Sequence, residues 1–210
     1  MKMLYGLYAI TDPDIIPHAE FEKRVEAALK SGARILQYRN KTTDQKNRLQ
    51  QAHYLRQLCD TYNVTLIIND DIALARAVNA DGIHIGKNDS SLALARQQLG
   101  DDKIIGVSCY NQLDLARQAI KDGADYIAFG SFFSSTIKPD APTASLQLIR
   151  DIKQETSLPV CCIGGITRHN HPPLLEAGAD MLAVISDLFA HDQPADIEQA
   201  AQQFSQSFRA

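Results

Sequence analysis

An amide and two cations follow the second apolar run of this sequence in an alternating pattern. Residues 37–41 read Gln-Tyr-Arg-Asn-Lys. Because successive side chains of a strand point to opposite faces, Gln37 and Arg39 share one face and their apolar neighbours the other. The apolar face is expected to meet helices, so Gln37 and Arg39 are predicted to point inward. An inward arginine is costly unless it is paired. Arg39 therefore forms either a structural ion pair or a planar guanidinium fork that holds a phosphate, helped by the point charge of Lys41.

Carboxylates follow the next two apolar runs. Asp70 and Asp71 come directly after residues 65–69, and Asp89 comes shortly after residues 82–86. One interpretation is helix capping, because Asp is common at the start of a helix. The other is a metal site at neighbouring strand ends, since Mg²⁺ takes one or two protein carboxylates together with phosphate oxygens and water. The residues alone leave both interpretations open.

A long polar loop and a serine add further candidates. Ser108 ends another apolar run, and residues 131–142 form the longest loop, with hydroxyls at Ser135 and Thr136 and a cation at Lys138. Loops of this length often act as lids over a site. We therefore expect either an ordinary solvated loop or a lid that brings Lys138 to a substrate.

The last two apolar runs end in small residues. Gly164-Gly165 follows one run, and Ile185-Ser186 ends the other. Glycines let backbone N–H groups approach an anion closely. These two segments therefore indicate a candidate phosphate site.

Three histidines are candidate functional residues, but a structural role is the favoured interpretation of each. His84 lies between two glycines and is predicted to point inward, where an internally hydrogen-bonded imidazole is the commoner role and proton transfer the alternative. His169 and His171 precede two prolines and are interpreted as a solvated helix entry. No Ser-His-Asp arrangement is specifically indicated.

The elements that must position these residues alternate between short apolar runs and amphipathic stretches. The apolar runs are nearly free of charge, as strands covered on both faces should be. Stretches such as Phe21–Lys30, Leu92–Leu99 and Leu113–Ile120 show helical spacing of apolar residues. The predicted strands are residues 5–11, 34–39, 65–69, 82–86, 103–108, 126–130, 159–164 and 181–186.

A small internal repeat supports the fold that follows from this alternation. Glycine-containing segments, such as Gly123-Ala124-Asp125 and Gly178-Ala179-Asp180, stand just before strands. A glycine there supplies the left-handed residue that ends a helix. About eight βα units predict an α/β fold, a single-domain (β/α)₈ TIM barrel over residues 1–210, with catalytic groups at the strand ends. A doubly wound open sheet is the alternative, although no Gly-x-Gly-x-x-Gly follows the first strand.

Composition excludes several classes of protein. The 210 residues carry a net charge of −4, which argues against a general nucleic-acid binder. No apolar run approaches the roughly 20 residues of a membrane helix, so no membrane partner is expected. The four cysteines contain no Cys-x-x-Cys pair, which indicates buried thiols in a reduced, cytoplasmic protein. Whether the chain is a monomer or a homo-oligomer is left open.

Taken together and in order, these motifs resemble the thiamine phosphate synthase family over nearly the whole chain. The departures lie beside the main set, at Asp71, Lys87 and Ile137. The matching segments are Tyr8-Ala9-Ile10-Thr11-Asp12, Gln37-x-Arg39-x-Lys41, Asn69-Asp70, Asp81-Gly82-Ile83-His84-Ile85-Gly86 with Asp89, Ser108, the loop that reaches Lys138, Ile163-Gly164-Gly165-Ile166 and Ile185-Ser186.

The resemblance implies a transferase that couples a hydroxymethylpyrimidine diphosphate to a thiazole phosphate, giving thiamine phosphate and pyrophosphate. It implies that Mg²⁺ is held by Asp70 and Asp89, and that Arg39, Lys41 and Lys138 carry the catalysis. The implied residues for the pyrimidine diphosphate are Gln37, Arg39, Lys41, Asn69, Ser108 and Lys138, and those for the thiazole phosphate are Ser135, Thr136, Gly165, Ile185 and Ser186.

Two other functions remain as alternatives at this point. A thiazole tautomerase of the same barrel family would need a proton-transfer group, for which His84 is the candidate. A non-catalytic thiamine phosphate binder would need neither the cations nor the metal ligands. The full set of diphosphate and metal residues favours the synthase, and small molecules are the expected partners.

Overall fold

Eight parallel strands form a closed barrel in which each strand pairs with its neighbours in sequence order. The architecture is known from a computed structural model that describes residues 4–87, 89–134 and 143–208. Closure occurs between the first and last strands, where Gly6 pairs with Met181. The strands are β1 Gly6–Ile10, β2 Ile35–Tyr38, β3 Thr65–Asn69, β4 Gly82–Ile85, β5 Ile104–Tyr110, β6 Tyr126–Phe129, β7 Val160–Ile163 and β8 Met181–Val184. The predicted TIM barrel is confirmed, and the open sheet is wrong.

Helices surround the barrel and connect successive strands. The described helices are α1 Phe21–Lys30, α2 Gln45–Tyr62, α3 Ile72–Ala77, α4 Leu92–Leu99, α5 Leu113–Lys121, α6 Leu146–Glu155, α7 Pro172–Glu176, α8 Ser186–Phe189 and α9 Pro194–Ser207, with a 3₁₀ turn at His18–Glu20. The last strand is shorter than the sequence predicts, because Ile185 and Ser186 already begin α8. β5 is longer and continues to Tyr110 through an irregularity in its pairing with β6.

Alternation along the strands divides the apolar residues between the barrel interior and the layer beneath the helices. Residues such as Leu36, Tyr38 and Cys162 face the helices, whereas Ile35 and Cys161 fill the barrel interior. This is the division that the alternating pattern predicts for a barrel covered by helices. The inward positions at the C-terminal strand ends are therefore the ones left for polar side chains.

The repeated aspartates before even-numbered strands join neighbouring βα units. Asp81, Asp125 and Asp180 each accept a hydrogen bond from a backbone N–H of the preceding strand and from a cation on a surrounding helix. The strand amides belong to Leu66, Ile105 and Val160, and the cations to Arg56, Arg96 and Lys153. The internal repeat thus fixes the N-terminal end of the barrel and leaves the opposite end for the site.

Candidate active site at the C-terminal end of the barrel

β2 carries Gln37 toward the interior, as the alternation predicts, and Arg39 follows directly after this strand. Gln37 is buried, and its Nε2 donates to the Tyr8 hydroxyl of β1 at 2.8 Å. Arg39 lies one position past the strand end and keeps 27% of its side-chain area exposed. The guanidinium is thus anchored within the wall of the barrel but reaches its open end.

Two residues after β1 hold Arg39 in place. The Arg39 Nη1 lies 2.6 Å from the Asp12 carboxylate, which is nearly inaccessible to solvent. The Thr11 hydroxyl accepts a hydrogen bond from the Arg39 N–H at 2.9 Å and donates to the Arg39 carbonyl at 3.1 Å. Among the described residues, the side-chain contacts of Arg39 involve Nη1 alone. The ion pair and the phosphate fork are therefore compatible, because one edge of the guanidinium pairs and the other does not.

Asp12 and Thr11 have no role in the sequence interpretation beyond the motif that opens the chain. The sequence signal that could have found them is their position, because both follow directly after the first strand, at the end of the barrel where the site lies. Burial of Asp12 against the cation of Arg39 marks them as supports for that side chain.

Lys41 and Asp70 meet at the same rim. The Lys41 Nζ lies 3.2 Å from the Asp70 Oδ2, which also accepts from the Asn69 Nδ2 at 2.7 Å. Asp70 has a φ of 55°, a left-handed conformation that is uncommon outside glycine but tolerated by Asp and Asn. Its backbone N–H donates to the His84 carbonyl of β4 at 2.9 Å. The turn therefore aims the Asp70 carboxylate at the rim cations rather than at a helix.

The structure separates the capping carboxylate from the other two. Asp71 is the N-cap of α3, where its Oδ1 accepts from the Leu74 N–H at 2.9 Å. The capping role predicted as one alternative is confirmed for Asp71. It is wrong for Asp89, because Ser91 caps α4 through the Leu94 N–H.

Asp89 turns back toward the end of β4. Its Oδ2 accepts from the Gly86 N–H at 2.6 Å. Among the described residues, the contacts of Asp70 and Asp89 each engage Oδ2 and leave the second oxygen of the carboxylate without a protein partner. Two such half-used carboxylates fit Mg²⁺, which completes its shell with phosphate oxygens and water. Over the same described part of the chain, no group of three or more His, Cys, Asp or Glu side chains has the spacing of a metal site.

A hydrogen-bonded chain crosses the barrel interior from Gln37 to Ser108. The Tyr8 hydroxyl, which accepts from Gln37, lies 2.8 Å from the Tyr126 hydroxyl. The Tyr126 hydroxyl lies 2.9 Å from Nδ1 of His84, and Nε2 of His84 lies 2.8 Å from the Ser108 Oγ. We call these five residues the interior hydrogen-bond chain. It ends at Ser108, which is half-buried at the rim.

His84 is neutral in this environment. Desolvation lowers the pKa of the imidazole to about 4, and the negative charge of Asp89 acts weakly in the opposite direction. The ring stacks on Tyr126 with an interplanar angle of 25°. Both ring nitrogens are engaged by protein hydroxyls, so His84 is the internally bonded histidine of the first interpretation.

The two glycines after β7 lie against the start of the long loop. Gly164 and Gly165 have φ values of 102° and 62°. A Cβ on Gly165 would overlap the backbone oxygens of Ser134 and Phe133, and one on Gly164 would overlap Ser131. Their lack of a side chain therefore lets the loop approach the end of β7. Ile185 and Ser186 follow β8, which pairs with β7, and they are the N-cap and the first residue of the short helix α8.

Three of the sequence-predicted residues lie outside the described part of the structure. Ser135, Thr136 and Lys138 belong to the segment 135–142, and the structure describes the loop only as far as Ser134. The lid interpretation of residues 131–142 therefore stays a prediction.

The remaining histidine interpretation is only half right. His169 is exposed, but His171 is 4% exposed and contacts the Thr167 carbonyl and the Ser207 hydroxyl. His171 thus joins the loop before α7 to α9. The apolar contact with Phe204 on α9 accounts for its burial, and sequence spacing gives no signal for a partner so far along the chain.

The cysteines are buried, as the composition predicts. All four cysteines, which lie in the described part of the chain, are buried thiols outside any disulfide. Burial raises the pKa of the Cys109 thiol to about 12. Within the residues described, no helix combines the length and apolar character needed to cross a membrane.

Comparisons with known proteins identify the family of this chain. A family model described as thiamine monophosphate synthase matches residues 7–188. The thiamine-phosphate synthase of Alcanivorax borkumensis is 50% identical over 100% of this chain and 96% of its own length, and that of Marinobacter nauticus is 48% identical over 97% and 90%. A solved thiamine phosphate pyrophosphorylase from Pyrococcus furiosus superimposes with a TM-score of 0.86 at 32% identity, covering 98% of this chain and 96% of that one. The chain belongs to the thiamine monophosphate synthase family.

Proposed function

We propose that the C-terminal rim of this barrel couples a hydroxymethylpyrimidine diphosphate to a thiazole phosphate. The bond between the pyrimidine methylene carbon and the diphosphate oxygen breaks, and a bond from that carbon to the thiazole nitrogen forms. The products are thiamine phosphate and pyrophosphate. The proposal also takes residues 1–210 as one catalytic domain that works in the cytoplasm, to which the four buried thiols lend support.

The diphosphate belongs beside β2, β3 and β5. Arg39 and Lys41, together with Lys138 from the long loop, neutralise charge that accumulates on the departing pyrophosphate. Gln37, Asn69 and Ser108 hold the same substrate from the barrel side. The observation that supports this assignment is the contact of Lys41 with Asp70 at 3.2 Å, because it joins a cation to a carboxylate with a spare oxygen two residues after Arg39.

Asp70 and Asp89 are the proposed Mg²⁺ ligands. When bound, Mg²⁺ supplies Lewis-acid stabilisation of the phosphate oxygens. The chain supplies two carboxylates from adjacent strand ends, each with one oxygen free of protein contacts among the described residues. The Lys41 ammonium already paired with Asp70 then stands next to the same phosphate charge.

The thiazole phosphate belongs at the opposite side of the rim, after β7 and β8. Gly165 and Ser186 lie where barrels of this class often bind phosphate. Ile185 lines that site, and Ser135 and Thr136 of the long loop add hydroxyl groups. Holding both substrates in this way aligns the thiazole nitrogen with the reacting carbon, which is a proximity effect.

The proposed chemistry needs no general base. The thiazole nitrogen attacks with a lone pair that carries no proton, and the amino group of the pyrimidine stabilises positive charge on the reacting carbon by resonance. This agrees with the engaged state of His84, whose two nitrogens are hydrogen-bonded to Tyr126 and Ser108. A tautomerase would need a free proton-transfer group at this place, so the geometry of His84 disfavours that alternative.

The direct test is an assay of the purified chain with both substrates and Mg²⁺, in which thiamine phosphate and pyrophosphate must appear together. Lys41→Met is expected to lower kcat/KM for the pyrimidine diphosphate at least tenfold, because an ion pair with phosphate is lost. Lys103→Met removes the same charge from the N-terminal end of the barrel, where Lys103 contacts Asn79 and the Ala80 carbonyl, and should leave kcat/KM unchanged. Equal effects of the two variants would refute the assignment of Lys41 to the diphosphate site at the C-terminal rim.

A further inference from the structure

The interior hydrogen-bond chain has a direction, which is set by the orientation of the Gln37 amide and then followed by counting hydrogens. Nε2 of Gln37 is an amide nitrogen, which donates hydrogen bonds and does not accept them. The Tyr8 oxygen therefore accepts from it at 2.8 Å. Among the described residues, the Tyr8 hydroxyl has one other hydrogen-bond partner, which is the hydroxyl of Tyr126. Tyr8 is buried, so a hydroxyl hydrogen left there without an acceptor would lose its hydration and gain no hydrogen bond in return. Tyr8 therefore donates to Tyr126.

The same count of hydrogens determines which ring nitrogen of His84 is protonated. The contact between Tyr8 and Tyr126 already contains one hydrogen, so the hydrogen of Tyr126 points to the other partner, Nδ1 of His84 at 2.9 Å. Nδ1 must then be an unprotonated acceptor. A doubly protonated ring would donate from both nitrogens and leave one tyrosine hydrogen without an acceptor. With the Gln37 amide nitrogen on Tyr8, the ring that satisfies every partner is neutral and carries its hydrogen on Nε2.

The tautomer of His84 sets the hydrogen-bonding role of Ser108 at the rim. Nε2–H of His84 donates to the Ser108 Oγ at 2.8 Å, so the serine accepts in this contact. Among the described residues, no other partner engages the Ser108 hydroxyl. Its own hydrogen is therefore available to a molecule at the end of the barrel.

We propose that the interior hydrogen-bond chain fixes His84 in the Nε2–H tautomer and so makes Ser108 a hydrogen-bond donor to an acceptor atom of the bound substrate. Tyr126 and His84 are positioning residues that act through Ser108. The inference rests on the proposed function only in taking that substrate to be the pyrimidine diphosphate.

The opposite direction makes a distinct prediction. If Gln37 turned its amide oxygen to Tyr8, each hydrogen bond would reverse and every partner would again be satisfied. His84 would then carry its hydrogen on Nδ1, and Ser108 would donate to His84 and present only lone pairs to the rim. The tautomer of His84 therefore reports which direction the chain has.

Nitrogen-15 NMR of the full-length, ligand-free chain measures that tautomer without any turnover. Protonated and bare ring nitrogens have widely separated shifts, and the ring signals of His84 are those that move in Tyr126→Phe. Phenylalanine keeps the ring that packs onto Gly106 and removes only the hydroxyl. We expect a protonated Nε2 in the wild type. A protonated Nδ1 would overturn the inference, whatever the synthase activity of the chain.

A double-mutant cycle tests the coupling to substrate. Ser108→Ala is expected to lower kcat/KM for the pyrimidine diphosphate about 10- to 100-fold, and Tyr126→Phe about 3- to 10-fold. In the Ser108→Ala background, Tyr126→Phe should add less than about twofold, because its effect passes through Ser108. The control is Tyr62→Phe, which removes a hydroxyl that donates to Glu26 between two surrounding helices and should leave kcat/KM unchanged.

The outcomes are separable. Multiplicative effects of Ser108→Ala and Tyr126→Phe would overturn the positioning role of Tyr126. A wild-type chain that forms no thiamine phosphate would instead overturn the proposed function, while the tautomer would still be read from the spectra. A non-multiplicative cycle together with the Nε2–H tautomer supports the inference.

Discussion

Replacing Asp89 by asparagine separates a metal ligand from a helix cap. The Asp89 Oδ2 accepts from the Gly86 N–H at 2.6 Å, and an amide oxygen makes the same hydrogen bond. The cap of α4 is Ser91, which Asp89→Asn leaves intact. Because Asp89 is exposed and its neutral replacement keeps this contact, the free energy of unfolding is expected to change by less than about 0.5 kcal/mol.

The effect on metal dependence is expected to be much larger. Asparagine removes one of two proposed negative ligands, so the Mg²⁺ site loses half of its protein charge. Loss of a partner that only orients a ligand already weakens metal binding 10- to 100-fold, so loss of the ligand charge should be at least tenfold. The measurement is the Mg²⁺ concentration for half-maximal thiamine phosphate formation, with activity partly restored at high Mg²⁺.

Ser91→Ala is the matched control. It removes the hydrogen bond to the Leu94 N–H and should lower the free energy of unfolding by about 0.5–2 kcal/mol. Its half-maximal Mg²⁺ concentration should equal that of the wild type. If Asp89→Asn kept the wild-type Mg²⁺ curve, or if Ser91→Ala shifted the curve equally, the assignment of Asp89 as a ligand would be refuted.

Three other variants test the supports of the site. Asp12→Asn removes the charge that pairs with Arg39 at 2.6 Å; chemical denaturation should show a loss of about 1–3 kcal/mol, and the KM of the pyrimidine diphosphate should rise while that of the thiazole phosphate stays constant. Gly165→Ala and Gly123→Ala both place a side chain at positive φ, but only the former overlaps backbone, so thermal unfolding should show the larger loss for Gly165→Ala. For His84, the folded pKa of about 4 lies below the ordinary 6.5, so its contribution to stability is complete above pH 6.5 and is lost as the pH falls toward 4. Denaturation across that range should show a decrease of up to about 3 kcal/mol that is absent in His84→Gln; parallel pH profiles would contradict it.

The barrel was predictable because its signal is local. Each strand is a short apolar run, and alternation within one run decides which side chains face inward, so Gln37 and His84 are oriented correctly from their neighbours alone. The repeat before the strands is also local. Its aspartates have a reason that only the structure shows, since Asp125 bridges the N–H of Ile105 and the guanidinium of Arg96.

The choice between adjacent aspartates was not predictable from residue type. Asp70 and Asp71 stand side by side, and both suit capping or metal binding. The backbone decides between them: Asp70 takes a left-handed φ of 55° and turns to the rim, whereas Asp71 is extended and caps α3. The pairing of Asp71 with Arg48 of α2 at 2.8 Å reinforces that division. Such a turn depends on the hydrogen bond of Asp70 to β4, a contact that no spacing within β3 encodes.

The interior hydrogen-bond chain lies beyond sequence reasoning for a related cause. Tyr8 and Tyr126 are 118 residues apart and face each other only because the barrel closes. Each tyrosine by itself has the pattern of an ordinary inward aromatic residue, and Ser108 by itself is one serine at a strand end. Their role comes from the order of donors and acceptors across five strands. A sequence pattern can therefore place the groups that touch substrates, while the proton arrangement that prepares one of those groups is a property of the closed barrel.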